Sequence, residues 1–557
     1  MELMRSRMAT RRWRASAWPG GSQVSEEWIV ARKTKTFVGF ALLAAPLFFA
    51  CGTRPGVAAI ATGDQRGNIT EPAPPRACTQ LAPQPSSNPR NETAGTSLDT
   101  ARIQSALNRC ALGRAVELSA GAAASGPAAF ISGPLTLPSG VSLIIDTGVT
   151  LFASRQAALY DDPRKAQATH CGQYDGYGKS CRAFITLDDR ANGSGVYGAG
   201  AIDGQGGQPM IYPSGWGAPP FCQSASMPAN FPSSAMSWWD LANCAAVINH
   251  SPGAAPAKQN TPILIEAVGA SNLTFSGITL QNSPHAHLVL EQSKNITIWG
   301  IKINSPSDLA SYGLPRAHNT DGIDLGNVNN VTVAHSDINA GDDHIAIGSK
   351  AGAPYAPSSN ITIAGDNLYG GHGVSIGSMT SGGIQNVLVE DILVNGGPHM
   401  AATTAIHIKS NAENGGPVGA ITYRRFCIGN VKYPIWLDTG YKHLSGSSKP
   451  SYSNIDIEDV SIFADVPGSG KIVFDGSGAQ GHLQVSLQDV LIDHPSEANS
   501  DASNSTDLNL LGKINFLPHG DGVALTPGAF AQEQQAQPSA ACKSALAAPP
   551  PFHIWAQ

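Results

Sequence analysis

Charge is what this 557-residue chain has little of: Asp, Glu, Lys and Arg make up 14%, against about 25% in an average soluble domain. The balance is acidic, with 35 Lys and Arg against 41 Asp and Glu and a net charge of −6. That excludes a general basic surface for nucleic acid or an anionic membrane. The apolar run Phe37–Ala50 falls short of the ~20 residues a membrane-spanning helix needs. No Cys-x-x-Cys pair occurs, which argues against a structural zinc site. No apolar stripe of period 3.6 runs through the body of the chain, so a helical solenoid is excluded as well. Turn-formers are abundant instead, with 60 Gly and 39 Pro. With 42% hydrophobic residues the chain is far from disorder. Together these values point to many short strands joined by tight turns.

Arg32, Lys33 and Lys35 lead into Phe37–Ala50, which reads as the apolar core of an export signal behind an unusually long basic leader. Cys51 follows Ala50 as in a bacterial lipobox, although Phe48 and Phe49 stand where smaller aliphatic residues are usual. A lipid anchor at Cys51 therefore stays open beside a freely secreted, bacterial product. The other eight cysteines are an even number in an exported chain and are read as disulfides. Cys171–Cys181 would close the loop GQYDGYGKS and Cys78–Cys110 comes next, with Cys222–Cys244 and Cys427–Cys542 completing the set. The expected organisation is a signal segment at 1–51, a linker at 52–75, one folded domain at 76–494 and a loose low-complexity tail at 495–557.

A repeat sets the architecture. NLTF at Asn272, NITI at Asn295, NVTV at Asn330, NITI at Asn360, NVLV at Asn386 and NIDI at Asn454 recur with successive spacings of 23, 35, 30, 26 and 68 residues. The last gap has room for a further unit around AITY at Ala420. Short Val, Ile and Thr strands broken by Gly, Asn and Asp at this period indicate an all-β solenoid. The fold class expected is a single right-handed parallel β-helix, with aligned Asn residues laddering at its turns. The N-x-T triplets are read as turn chemistry and not as glycosylation sites. Leu98–Leu112 is the only good amphipathic helix, with Ile103, Leu107 and Cys110 on one side, placed to cap the N-terminal end.

Four polar clusters interrupt the repeat: His318–Asp324, Gly341-Asp342-Asp343-His344, Gly371-His372-Gly373 and His407-Ile408-Lys409. Asp321, Asp343, His372 and Lys409 follow one another at 22, 29 and 37 residues, each about one coil, the last with room for a loop. Equivalent positions on successive coils stack about 4.8 Å apart, so the clusters would share one face. Like charges stacked this way repel, which makes a purely structural role uneconomical. The arrangement suits hydrolysis of a glycosidic bond, where one carboxyl is kept protonated and others activate water. Asp-Asp at a turn is also a common solvated turn or calcium ligand, and His372 between glycines or Lys409 on a strand would be unremarkable alone. Asp324 is left outside the catalytic set. Trp238, Trp239, Trp299 and Trp436 serve equally as sugar platforms or as packing.

In their order and spacing, NTDGID, GDDHIAI, GGHGVSIGS and IHIKS resemble the four signature segments of the polygalacturonases, pectin-hydrolysing glycoside hydrolases with a right-handed β-helix. LSAGAAASGPAAFISGPLTLPSGVSL, GAIDGQGG, SWWDLA, QNSPHAHLVL and YPIWLDTGY are similar to stretches of the secreted bacterial endo-acting members. The resemblance covers about residue 78 to residue 495. It implies Asp342 as the general acid, Asp321 and Asp343 as the pair that holds and deprotonates water, and His372 as the group that tunes them. Asn319, His407, Lys409 and Tyr441 are implied as substrate-binding positions. No metal or cofactor is implied, and the expected partner is polygalacturonate, acted on by a monomer. One departure stands out: His407 occupies the place of an Arg in the fourth segment. Arg grips a carboxylate with a planar fork and keeps its charge, whereas His offers fewer donors and loses its charge near neutrality. Galacturonate binding is expected to weaken or to become acid-dependent. A hydrolase for rhamnogalacturonan or xylogalacturonan, a calcium-dependent lyase of the same fold class, and a non-catalytic polysaccharide-binding β-helix remain the competing readings.

Overall fold

The computed structural model describes residues 63–551 except 85–87, 122–127, 165–169, 176–179, 188, 214–235, 250–256, 307–316, 477–480, 496–499, 504–505 and 533–535. The export segment, Cys51 and Cys222 lie outside the described residues. Among the described residues, no helix is long and apolar enough to cross a membrane.

The chain winds into a parallel β-helix. One face is a sheet of eleven strands, β1 (Leu135–Leu137), β2 (Ile185–Leu187), β3 (Ile265–Val268), β4 (Leu288–Glu291), β5 (Ile323–Gly326), β6 (Ile345–Gly348), β7 (Val374–Ile376), β8 (Thr404–Lys409), β9 (Tyr433–Asp438), β10 (Ile472–Asp475) and β11 (Ser500–Ser503). Each hydrogen-bonds in parallel to its counterpart one coil on, and a 21-stranded set forms the remaining faces. A lone coil has no partner for its backbone, so stability comes from stacking. Stacking also puts similar aliphatic side chains on one another. Ile265, Leu288, Ile323, Ile345, Val374, Ile406 and Ile435 form a continuous inward column, all fully buried. Each such side chain contributes about 1.5–3 kcal/mol through burial.

The repeated asparagines form the expected ladder. Asn272, Asn295, Asn330, Asn360 and Asn386 all have φ between 54 and 59°, the left-handed region that Asn tolerates better than branched residues. Each amide nitrogen donates to the Oδ1 of the preceding coil: Asn295 to Asn272 at 3.1 Å, Asn330 to Asn295 at 3.2 Å, Asn360 to Asn330 at 3.2 Å and Asn386 to Asn360 at 2.6 Å. Replacing Asn330 by Ala removes two of these bonds and forces Ala into the left-handed region. The variant is expected to lose about 2–3 kcal/mol of unfolding free energy in urea titrations; a loss below about 0.5 kcal/mol would mean the ladder is incidental.

The segment read as part of a linker is docked from Gly63 onward. Gly63 N donates to Asn386 Oδ1 at 3.0 Å and so closes the ladder, and the Arg66 guanidinium reaches Ile296 O at 2.6 Å and Thr297 Oγ1 at 3.2 Å. Thr332 Oγ1 donates to Asp64 at 2.7 Å. Gly and Asp here supply backbone and charge to a row of outward threonines, a signal that composition alone does not carry.

The tail expectation fails in a similar way. Beyond residue 494 the stack continues through β11, Thr506–Ile514 and Val523–Gln532, the last two paired in parallel. Leu508, Leu510 and Ile514 are buried, an alternation that Ser- and Asn-rich joints obscure in the sequence. Three α-helices occur among the described residues. The first, α1 (Thr100–Arg109), buries Ile103, Ala106 and Leu107 and packs against the first strands, as a cap should. The second, α2 (Trp238–Asn249), is apolar nearly all round, so it shows no stripe; Trp238 and Trp239 are buried in it and are not sugar platforms. The third, α3 (Ala540–Leu546), is capped by Ser539. Disulfides join Cys78 to Cys110, Cys171 to Cys181 and Cys427 to Cys542, the last holding α3 on the stack. Cys244 is also disulfide-bonded, while its expected partner Cys222 lies outside the described residues.

Candidate active site

The inward column fixes where the polar clusters fall. Ile323, Ile345 and Val374 are register partners, and the residues two positions before them are Asp321, Asp343 and His372. These three therefore occupy one row on three successive coils, at the spacing of neighbouring strands. Ile406 continues the column, so the equivalent position on the next coil is Thr404 and not Lys409. The 37-residue gap read as a coil with an added loop is a shorter coil, with Lys409 five residues farther along β8. Its long side chain reaches back over the intervening coil.

There it meets Asp343. Lys409 Nζ lies 2.8 and 3.2 Å from the two Asp343 oxygens, and Ser375 Oγ donates to Asp343 Oδ1 at 2.7 Å. Asp343 and Lys409 are 5 and 8% exposed. Burial pushes the Asp343 carboxyl up, but Lys409 and His372 outweigh it and hold the group ionised far below the usual carboxylate range. Lys409, read as a substrate contact, is thus committed to Asp343.

His372 is presented by a turn between Gly371 and Gly373, with φ 54 and 67°. A Cβ on Gly373 would lie 2.2 Å from Ala405 O, which restricts that position to glycine. Its Nδ1 is 3.0 Å from Asp342 Oδ1 and 3.7 Å from Asp343 Oδ1. Burial pulls the imidazole down, yet the hydrogen bonds and charges of both aspartates raise it to about 9. Behind it, His344 is fully buried, Nε2 donating to Tyr369 O at 3.0 Å and Nδ1 accepting from Gly373 N at 2.8 Å, so it stays neutral and pins the His372 turn. Asp342 is half-buried, and its Oδ2 faces the Asn319 amide at 3.3 Å, itself held by Gln259 at 2.9 Å.

Asp321 and Asp324 have the opposite character to Asp343. Burial first, then the charges of neighbouring carboxylates, raise Asp321 well above the usual range and Asp324 to about 8. The face thus holds one carboxylate fixed as an anion beside carboxyls that retain protons, the division that acid–base chemistry needs. Oxygens of Asp342 and Asp343 and a His372 nitrogen lie within 4.8 Å of one another, close enough for a divalent cation. A cation bound there would have to displace the His372 proton, which both aspartates hold up to about 9.

His407 differs from its expectation. It is 3% exposed, and burial and then Lys409 push its imidazole well below the ordinary value, so it does not gain charge on mild acidification. Its ring stacks on Trp436 at 5.0 Å and meets Tyr441 edge-on at 5.9 Å. Trp436 and Tyr441 thus belong to the site face, whereas Trp299 packs on His335 elsewhere. Ser375 and Gln259 escaped the sequence reading, and His344 stood in its cluster there without a role. Of the first two, only Ser375 left a trace there, through its outward parity in GHGVSIGS.

Comparison with known proteins agrees with this geometry. Residues 122–509 match the family model described as glycosyl hydrolases family 28. An endo-polygalacturonase of Pectobacterium carotovorum subsp. carotovorum is 37% identical over 422 residues, 76% of this chain and 88% of its own. A polygalacturonase of Ralstonia solanacearum is 39% identical over 386 residues, 66% of each chain. The solved polygalacturonase from Erwinia carotovora ssp. carotovora matches with a TM-score of 0.64 and 34% identity, over 83% of this chain and 100% of that one. A family model spanning most of the chain, and relatives this similar along most of their own length, make this protein a glycoside hydrolase that belongs to glycosyl hydrolases family 28.

Proposed function

We propose that the enzyme is a secreted endo-polygalacturonase that hydrolyses α-1,4 bonds between galacturonates of de-esterified pectin with inversion. The observation that carries this reading is the row of Asp321, Asp343 and His372 with Asp342 beside it. Asp342 protonates the glycosidic oxygen as the bond to the anomeric carbon breaks. Water held by Asp321 and Asp343 attacks that carbon from the opposite side and gives its proton to the ionised form of Asp321, the more basic member of the pair because burial and the neighbouring carboxylates raise it. His372 donates to the carboxylates and fixes their orientation, and Asn319 steadies Asp342. The raised Asp321 carboxyl supports a second assignment, in which Asp321 is the acid and Asp342 the base.

Incubated with polygalacturonate and EDTA, the purified chain is expected to release reducing ends without the ultraviolet absorbance of unsaturated products. Viscosity should fall much faster than reducing ends appear, as internal cutting requires. Absorbing products that vanish with EDTA would indicate a lyase, and slow viscosity loss would indicate exo action.

His372 sets the alkaline limit. Because its folded-state pKa is raised, its stabilising ion pairs are complete below the ordinary value near 6.5 and are lost as pH rises through about 9. The rate should decline through that window, and an NMR titration of the His372 ring should give the same midpoint. A midpoint near 6.5 would remove His372 from the ion-paired role.

A further inference from the structure

Past Ser375 the outward row of the site face turns from charge to rings. Ser375, His407 and Trp436 are successive register partners. Tyr441 stands edge-on to the rings of His407 and Trp436, at 5.9 and 6.1 Å, and Tyr433 tilts against Trp436 at 4.8 Å. The Tyr441 ring centre is 5.6 Å from the Lys409 ammonium, so this aromatic patch adjoins the Asp343 carboxylate. His407 is neutral, its Nε2 is buried without a partner, and Lys409 is spent on Asp343. The next outward group, Asp438, is a carboxyl raised to about 6 by burial. Lys432 and Lys442 stand at the exposed rim, over the rings of Tyr433 and Tyr441.

A galacturonate carboxylate seated here would be desolvated against rings and a carboxyl, with no buried cation among the described residues free to receive it. A methyl ester presents a neutral carbonyl and an apolar methyl, which aromatic faces accept. We infer that the subsite over Trp436 and Tyr441 takes a methyl-esterified galacturonate, so that the enzyme cuts partially esterified pectin next to an ester. This inference rests on the polygalacturonase reading.

The test compares polygalacturonate with the same polymer randomly methyl-esterified to about half of its residues. Hydrolysis in heavy-oxygen water marks the new reducing end, and mass spectrometry locates esters on the residues flanking each cut. The wild type is expected to lose no more than about threefold in kcat/KM on esterification and to leave an ester at one of the two new ends. His407→Arg introduces a permanent cation and should shift the preference toward the de-esterified polymer by about tenfold. New ends that both lack esters, with a wild-type loss of about tenfold or more, overturn the inference; the wild-type product map decides this even where the variant does not fold. Absence of reducing ends on the de-esterified polymer as well would overturn the polygalacturonase reading instead.

Discussion

Asp342→Asn is expected to lower kcat on polygalacturonate by about 10²–10⁴-fold with little change in KM. The amide keeps the size and most of the hydrogen bonds of the carboxyl but has no proton to give to the leaving oxygen. Asp342 suits that role by position: half-buried at the rim of the row, its oxygens shared between His372 Nδ1 at 3.0 Å and the Asn319 amide at 3.3 Å. Asp343, by contrast, is locked as an anion by Lys409 and cannot carry a proton at working pH. An aryl oligogalacturonide separates proton donation from other losses, because its leaving phenolate departs without protonation. On that substrate the Asp342→Asn defect should shrink to about tenfold or less, while Asp343→Asn stays crippled. Rescue of Asp321→Asn in place of Asp342→Asn would exchange the acid and base roles.

The second large effect concerns stability. Lys409→Met is expected to cost about 3–5 kcal/mol of unfolding free energy at neutral pH, because it strands the buried Asp343 anion. The sign follows from the depressed Asp343 pKa. Its ion pair stabilises the fold above the unfolded-state value near 3.9, and that contribution is lost as pH falls through the folded-state value. In the variant Asp343 keeps its proton to higher pH, so the gap between wild type and variant is widest near neutrality and narrows on acidification. Combining Lys409→Met with Asp343→Asn removes charge and partner together and should recover much of the loss. Urea titrations of the wild type, both single variants and the double variant decide the matter. A Lys409→Met cost below about 1 kcal/mol, or one independent of pH, would return Lys409 to the role of a substrate contact.

Much of this molecule was determined by local pattern. The Asn-led strand repeat fixed the β-helix, since each coil exposes backbone and apolar edges that only another copy of itself can cover. The same periodicity put Asp321, Asp343 and His372 in one row, because a residue two places before an inward Ile or Val must lie above its counterpart on the next coil. Cys78–Cys110 and Cys171–Cys181 followed from cysteine count and spacing in a chain read as exported, whereas the 115 residues between Cys427 and Cys542 left that pairing to the fold. Other features depend on which side chains meet across coils, and sequence distance says nothing of that. Lys409 reads as a surface charge until its reach to Asp343, 66 residues away, is seen. His407 reads as a weaker Arg until burial against Trp436 shows a neutral ring. Gly63 reads as linker until it closes the Asn ladder from 323 residues away. Repetition writes the stacking into the sequence, but the ionisation and partners of the groups on the stack are set by burial and neighbouring charge, which exist only once the coils are in place.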